Sequence, residues 1–345
     1  MMTTSRTLAA ALAALLASTG LASAAGELNI YNWGNYTSPD MIKKFEAKYD
    51  VKVTITDYDS NDTALAKVRQ GGSGFDIAMP SQHYIPIWIQ EGLIQEVDAG
   101  SMENAKNLAP EFANPDFDPG RKYSVPWAWG TVGVSVNTDV LKDPVDSWSL
   151  IFDPPEEIKG KINVVPEMND VIHAAIKYNG GNLCDYDKDM MRKVRDTLVN
   201  AKANWIAMEY STIEKMVAGD YAATSDWNGS AMRQRLQNPK IHYILPKEGF
   251  QIWSDNIVVL KDAKNLENAK LFLNFMMDPE NAGLNSSFHR YANGIAGSEK
   301  FMPADMQDAP ELNIPADKMK VAELIKTCPP EAQAIYTKIW TELQK

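Results

Sequence analysis

The chain is poor in groups that do covalent or metal chemistry. Its 345 residues hold two cysteines and four histidines. Cys184 and Cys328 lie far apart and neither belongs to a CxxC pair. His83, His173, His242 and His289 are scattered without metal-ligand spacing. No HExxH, GxSxG, GxxxxGK[ST] or GxGxxG occurs, so nothing marks a metallohydrolase, a serine hydrolase or a phosphate-cradling nucleotide site. Gly71-Gly72-Ser73-Gly74 is glycine-rich but precedes a strand pattern, which makes it a surface turn. Beyond the first 25 residues no apolar run reaches membrane-spanning length. Basic residues are outnumbered, 34 Lys and Arg against 45 Asp and Glu. Nucleic acid would require basic stripes that this balance does not supply. There is no repeat, low-complexity tract or coiled coil.

The N-terminus reads as an export signal. Arg6 gives the positive start, Leu8–Leu16 an apolar run of Leu and Ala, and Ala22-Ser23-Ala24 a small-residue cleavage site. Residues 1–24 are thus assigned to a signal peptide, with the mature chain periplasmic. Cleavage removes one cation and no acid, taking the net charge from −11 to −12. In an oxidising compartment the two cysteines can pair. Two separate buried thiols fit the composition equally well, and the thiols are read as unbonded.

What the chain does have is aromatic side chains, nine Trp and thirteen Tyr. Several stand beside short polar residues at element ends: Trp33-Gly34-Asn35-Tyr36, Asp226-Trp227-Asn228-Gly229 and Trp253-Ser254-Asp255. Rings give methylene groups an apolar wall and ammonium groups a negative face, and carboxylates fix the charge. The pattern suggests a site for an apolar-bodied organic cation. Trp88, Trp148, Trp205 and Trp340 recur within helix-like apolar patterns and are read as core.

Short β-branched runs alternate with amphipathic helical patterns, which predicts an α/β fold. A strand at Leu28–Tyr31 leads to a helix with Ser38 at its cap and Pro39 first. Val51–Ile55 is the next strand. Ser60 or Asn61 caps the next helix, and Phe75–Met79 is a third strand. This rhythm predicts a parallel sheet. Two longer extended runs, 125–137 and 252–260, read as strands crossing between two lobes. The predicted division is 25–131 with 256–299 as one lobe and 132–255 with 300–345 as the other. An interlobe cleft is then the expected ligand site.

One ordered series of tags spans the mature chain: Ile30-Tyr31-Asn32-Trp33, Asp59-Ser60-Asn61, Met79-Pro80-Ser81, Val125-Pro126-Trp127-Ala128-Trp129-Gly130, Asp226-Trp227-Asn228-Gly229-Ser230, Pro246-Lys247-Glu248-Gly249, Trp253-Ser254-Asp255 and Arg290-Tyr291-Ala292-Asn293. In order and spacing it resembles the periplasmic spermidine/putrescine-binding proteins of ABC transporters. The resemblance implies a two-lobed periplasmic binding protein fold, type II-like, that captures a polyamine for an inner-membrane ABC permease. It further implies no chemistry, no cofactor and a monomeric receptor.

Carried over residue by residue, the resemblance makes Trp33, Tyr36, Trp227, Trp253 and Tyr291 the aromatic box, with Ser81 nearby. It makes Asp255 the central carboxylate and Glu167 with Asp170 a second acidic pair. A plainer reading stands beside the last two, because acids before a helix starting at Val171 complement its N-terminus. Four positions depart from the family pattern. Gly34 follows the first Trp where a hydroxyl residue is common, and His83 stands in place of an aromatic. Cys328 occupies the place of a Gln and would face the cleft, and Ser230 that of an Asp. The rival readings are a receptor for another organic cation, opine-like or guanidinium, and a periplasmic amine-acting hydrolase.

Overall fold

The computed structural model describes residues 26–345, so the export signal read at 1–24 lies outside the described residues. The strands are β1 (Gly26–Trp33), β2 (Val51–Tyr58), β3 (Ile77–Ala78), β4 (Ser124–Asn137), β5 (Ile162–Asn163), β6 (Trp205–Ala207), β7 (Ala223–Trp227), β8 (Ile241–Ile244), β9 (Phe250–Val259) and β10 (Ala322–Leu324). They form one curled sheet in the order β2-β1-β3-β9-β4-β7-β5-β6, with β8 beside β4 and β10 beside β9. Helices flank it: α1 (Pro39–Tyr49), α2 (Asn61–Arg69), α3 (Ile85–Gln90), α4 (Met168–Tyr178), α5 (Lys188–Lys202), α6 (Ile213–Ala218), α7 (Asn228–Gln237), α8 (Leu266–Met276), α9 (Pro279–His289) and α10 (Pro330–Leu343).

Local chemistry sets the starts. Ser38 caps α1, its side chain accepting from the Met41 amide, and Pro39 fills the first helical position, whose amide would lack a partner anyway. Ser60, rather than Asn61, caps α2 by accepting from the Thr63 amide. Asp278 both follows the end of α8 and caps α9, accepting from the Glu280 amide. One residue thus ends one helix and starts the next.

The sheet is mixed, and the three strands whose rhythm predicted parallel pairing do pair in parallel. Its outer parts are parallel: β1 pairs with β2 and β3, and β5 with β6 and β7. The two long middle strands run antiparallel, with Ser124 opposite Val258 and Thr131 opposite Ile252. They carry the chain in opposite directions, so opposed polarity follows from the connectivity. β4 changes partners along its length, pairing with β9 up to Thr131 and with β7 from Val132. At that change the sheet's two halves meet. The C-terminal helix α10 packs against α4 and α5.

Cys184 and Cys328 are joined by a disulfide, with their Cα atoms 5.1 Å apart. This corrects the unbonded reading and the placing of Cys328 in the cleft. The bond ties the segment before α10 to the loop after α4, two places 144 residues apart that sequence alone does not bring together.

Candidate functional site

A cavity lies between the two halves of the sheet. All nine residues singled out from the sequence line it: Trp33, Tyr36, Ser81, Glu167, Asp170, Trp227, Trp253, Asp255 and Tyr291. Four others complete the wall: Asn61, His83, Tyr210 and Ile325.

Most of these side chains sit at element ends. Trp33 is the last residue of β1, and its indole Nε1 donates to the Met79 carbonyl at 3.1 Å. Asn35 then takes a left-handed conformation (φ 58°), which asparagine tolerates, and the turn brings Tyr36 inward. Trp227 ends β7 at the start of α7, and its backbone is fixed by Asp226. Asp226 itself is buried among Ser135, Thr212 and Gln234, so it serves the frame rather than the cavity. Tyr291 follows α9 after a left-handed Arg290 (φ 67°). Its ring lies directly on Gly229, where an added Cβ would come within 2.5 Å of it; only glycine leaves room there.

The rings form two groups. Trp33, Tyr210 and Trp227 cluster with centroids 5.7–6.2 Å apart. Tyr291 meets Tyr36 edge-on at 5.5 Å and Trp253 edge-on at 5.1 Å. Trp33 and Tyr210 are nearly parallel, whereas Trp227 meets Trp33 edge-on, as Tyr291 does Tyr36 and Trp253.

Each carboxylate is oriented by neutral donors. Asp255 accepts from the Tyr36 hydroxyl at 3.0 Å and from Ser81 Oγ at 2.7 Å. Asn61 holds Ser81 in turn, with Nδ2 donating to Oγ at 3.0 Å. Asp170 accepts from Trp227 Nε1 at 2.8 Å. Glu167 accepts the Asn61 amide at 3.1 Å with Oε2, while its Oε1 is buried without a partner. Glu167 stands at the cap position of α4 and Asp170 in its first turn, yet the Glu167 side chain does not cap that helix. It reaches instead to the first residue of α2, across the cavity. The plain helix-terminus reading therefore accounts for where the acids stand but not for what Glu167 does.

No lysine or arginine among the described residues lines the cavity, and burial dominates its electrostatics. It pushes the carboxyl groups of Asp255 and Asp170 up to about 7 and raises that of Glu167 well above the usual carboxylate range, with Asp170 and Asp62 adding to the last. Burial also holds the His83 imidazole neutral, lowering its pKa to about 3. A protonated His83 would repel a cationic ligand; a neutral one does not. Both its ring nitrogens lack partners. Gly34 fits the same picture: its carbonyl accepts from the Tyr210 hydroxyl at 3.0 Å, and a Cβ there would meet the Tyr210 ring at 3.4 Å. Ser230 is engaged with the Tyr291 hydroxyl at 2.9 Å.

The two halves touch across this site, through Asn61 to Glu167, Tyr210 to Gly34, and Asn169 to the Tyr84 hydroxyl at 3.2 Å. The arrangement can enclose a cation and shield it from water. Trp88, Trp148 and Trp340 are buried in the core as expected, while Trp205 is half-buried and donates to the Ile151 carbonyl.

Known proteins share this architecture. A putrescine/cadaverine-binding protein of Pseudomonas aeruginosa is 28% identical, over 96% of this chain and 97% of its own length. A spermidine/putrescine-binding periplasmic protein of Salmonella typhimurium is 31% identical, over 79% of each chain. Among solved structures, a putative spermidine/putrescine ABC transporter protein from Listeria monocytogenes superposes with a TM-score of 0.86 at 32% identity, covering 92% of this chain and 98% of that one. Residues 40–314 match the family model of the bacterial extracellular solute-binding proteins. With two half-sheets closing on one buried cavity and relatives aligned nearly end to end, the chain belongs to the bacterial extracellular solute-binding protein family.

Proposed function

We propose that this protein captures a polyamine, spermidine or putrescine, in the periplasm and delivers it unchanged to an ABC importer of the inner membrane. The observation that carries the reading is the cavity itself, where Asp255, Asp170 and Glu167 are buried with no cation of the protein beside them. A buried charge needs a partner, and a ligand with ammonium groups joined by methylenes supplies charge for the acids and apolar surface for the rings. Asp255 takes one ammonium, Glu167 and Asp170 another, and Trp33, Tyr36, Trp227, Trp253 and Tyr291 enclose the carbon chain. Ser81 orients Asp255. The putrescine/cadaverine-binding and spermidine/putrescine-binding relatives agree with this ligand class.

The lobes are taken as 25–131 with 256–299 and 132–255 with 300–345. The partner change of β4 between Thr131 and Val132 supports this division, as does the packing of α10 on α4 and α5. Binding closes the lobes, and closure is what the importer reads. Mass spectrometry of ligand released from the purified protein, followed by calorimetry with spermidine and putrescine, tests the proposal. Recovery of an intact polyamine and micromolar or tighter binding are expected. Failure of both amines to bind at micromolar concentration overturns it.

A further inference from the structure

The Cys184–Cys328 disulfide lies at the seam where both halves reach the cavity. Residues 322–328 form a strap between the sheet and α10. Ala322–Leu324 pair with Phe250–Ile252 of β9, and the Ile325 amide donates to the Ile252 carbonyl at 3.0 Å. Ile325 then lines the cavity. Its carbonyl accepts from Gln82 Nε2 at 3.0 Å, and Gln82 Oε1 accepts from the Ser254 amide at 2.8 Å, next to Asp255. Two residues on, Thr327 Oγ1 donates to the carbonyl of His83, another wall residue, at 2.7 Å. Cys328 follows. Its sulfur sits 3.6 Å from Nε2 of His173, one turn after Asp170 on the helix that presents the acids. Lys177 on that helix also pairs with Glu323 of the strap.

We propose that the disulfide is a positioning element of the ligand site, holding the Ile325–Cys328 strap as the wall between the acid-bearing helix α4 and the Ser81–Tyr84 turn. The inference rests on the polyamine reading of the cavity. A clamp needed only for global stability could close the same long loop anywhere along the chain. This one fixes a segment anchored to Gln82, His83 and Ile252, each a cavity residue or next to one. When the bond is open, the strap keeps its β9 pairing and the Lys177 ion pair but samples other positions. Ligand affinity then falls in proportion to the time the wall is out of place. Coupling of this kind is reciprocal, so bound ligand must also resist reduction of the bond.

A dithiol reagent supplies the two electrons and two protons that convert Cys184–Cys328 to two thiols, and closes to its own cyclic disulfide. Cys184 is half-buried, which leaves the bond open to attack. The test titrates the folded protein through a dithiol/disulfide redox series with and without saturating spermidine or putrescine. Calorimetry on the fully oxidised and fully reduced forms, and on the Cys184→Ser/Cys328→Ser variant, accompanies it. Reduction is expected to weaken binding about tenfold, and ligand to lower the midpoint potential by the matching ~30 mV for a two-electron couple. Equal affinity in the two forms with an unmoved midpoint overturns the proposal. So does loss of the folded far-UV signal on reduction at 25 °C, which assigns the bond to global stability instead. If the oxidised protein binds no polyamine, the functional reading has failed, an outcome separate from either of these.

Discussion

Replacing Asp255 with Asn keeps the side-chain shape and removes the charge, which makes it the sharpest probe of the site. Asp255 is 5% exposed and held by the Tyr36 and Ser81 hydroxyls. Either hydroxyl can rotate to accept from an amide, so the local frame survives. On the proposed reading the carboxylate faces an ammonium of the bound polyamine in a cavity with little water. Removing one partner of a buried, hydrogen-bonded charge pair costs about 2–5 kcal/mol. Taking ~3 kcal/mol as representative, Asp255→Asn weakens binding by roughly two orders of magnitude. The empty protein should not suffer, because a buried, unpaired carboxyl whose pKa stands at about 7 is itself a burden on the fold. Its melting temperature without ligand should equal or exceed the parent's, and the ligand-induced rise should shrink. Calorimetry and thermal melts on the same preparation read both quantities. Parent-like affinity in a folded Asp255→Asn would falsify the assignment of this carboxylate to the ligand's charge.

Trp253→Ala should cost less, about 1–3 kcal/mol from lost methylene burial and cation–π contact, read by the same calorimetry; a loss exceeding that of Asp255→Asn would make the rings the main determinant. In the empty closed form the carboxyls of Asp170 and Asp255 are raised to about 7 and an arriving cation lowers them, so binding to that form releases protons and weakens as pH falls through about 7. Titrations at pH 6 in buffers of different ionisation enthalpy should show that release; proton uptake would contradict it. Glu167→Gln keeps an acceptor for the Asn61 amide while removing the charge, so it should weaken ligand binding with little change in melting temperature. Small-angle scattering should give a smaller radius of gyration with saturating spermidine than without, and an unchanged profile in a sample shown to bind would argue against closure.

The fold was legible where local chemistry determines it. The Ser38-Pro39 and Ser60 starts, the two long crossing strands and the α/β alternation all leave marks within a few residues. Strand direction leaves none, so the antiparallel pairing of β4 with β9 was not visible. The site was legible through the family resemblance that the ordered tags carry, and all nine residues carried over from it line one cavity. The unnamed wall residues had no such mark. Tyr210 lies in a loop after β6 and gains its place only through packing against Trp33 and Trp227. Asn61 looked like a cap, yet its side chain holds Ser81 while its amide holds Glu167. Ile325 lines the cavity on a strap that follows a short parallel pairing with β9 and precedes the disulfide at Cys328. Both are contacts between distant parts of the chain.

The charge balance of the site links binding to closure. Three acids lie in the cavity, two from the first turn of α4 and its cap position and one from β9; Asn61, Ser81 and Tyr36, from the opposite side, hold two of them. Closing the halves without ligand takes these groups out of water with no counter-charge, and that cost is what raises the carboxyls. Opening the halves rehydrates them. A dication or trication bound in the cleft meets Glu167 and Asp255 with their hydrogen-bond partners in place only when both halves surround it, because Asn61, Ser81 and Tyr36 come from the other lobe. Its affinity for the closed form therefore exceeds that for the open one by the desolvation it cancels. That difference is the free energy available to shift the equilibrium. A neutral ligand of the same shape fills the rings and leaves the acids unpaired, so it binds without driving closure. Selectivity for charge and the closing motion are two readings of the same buried carboxylates.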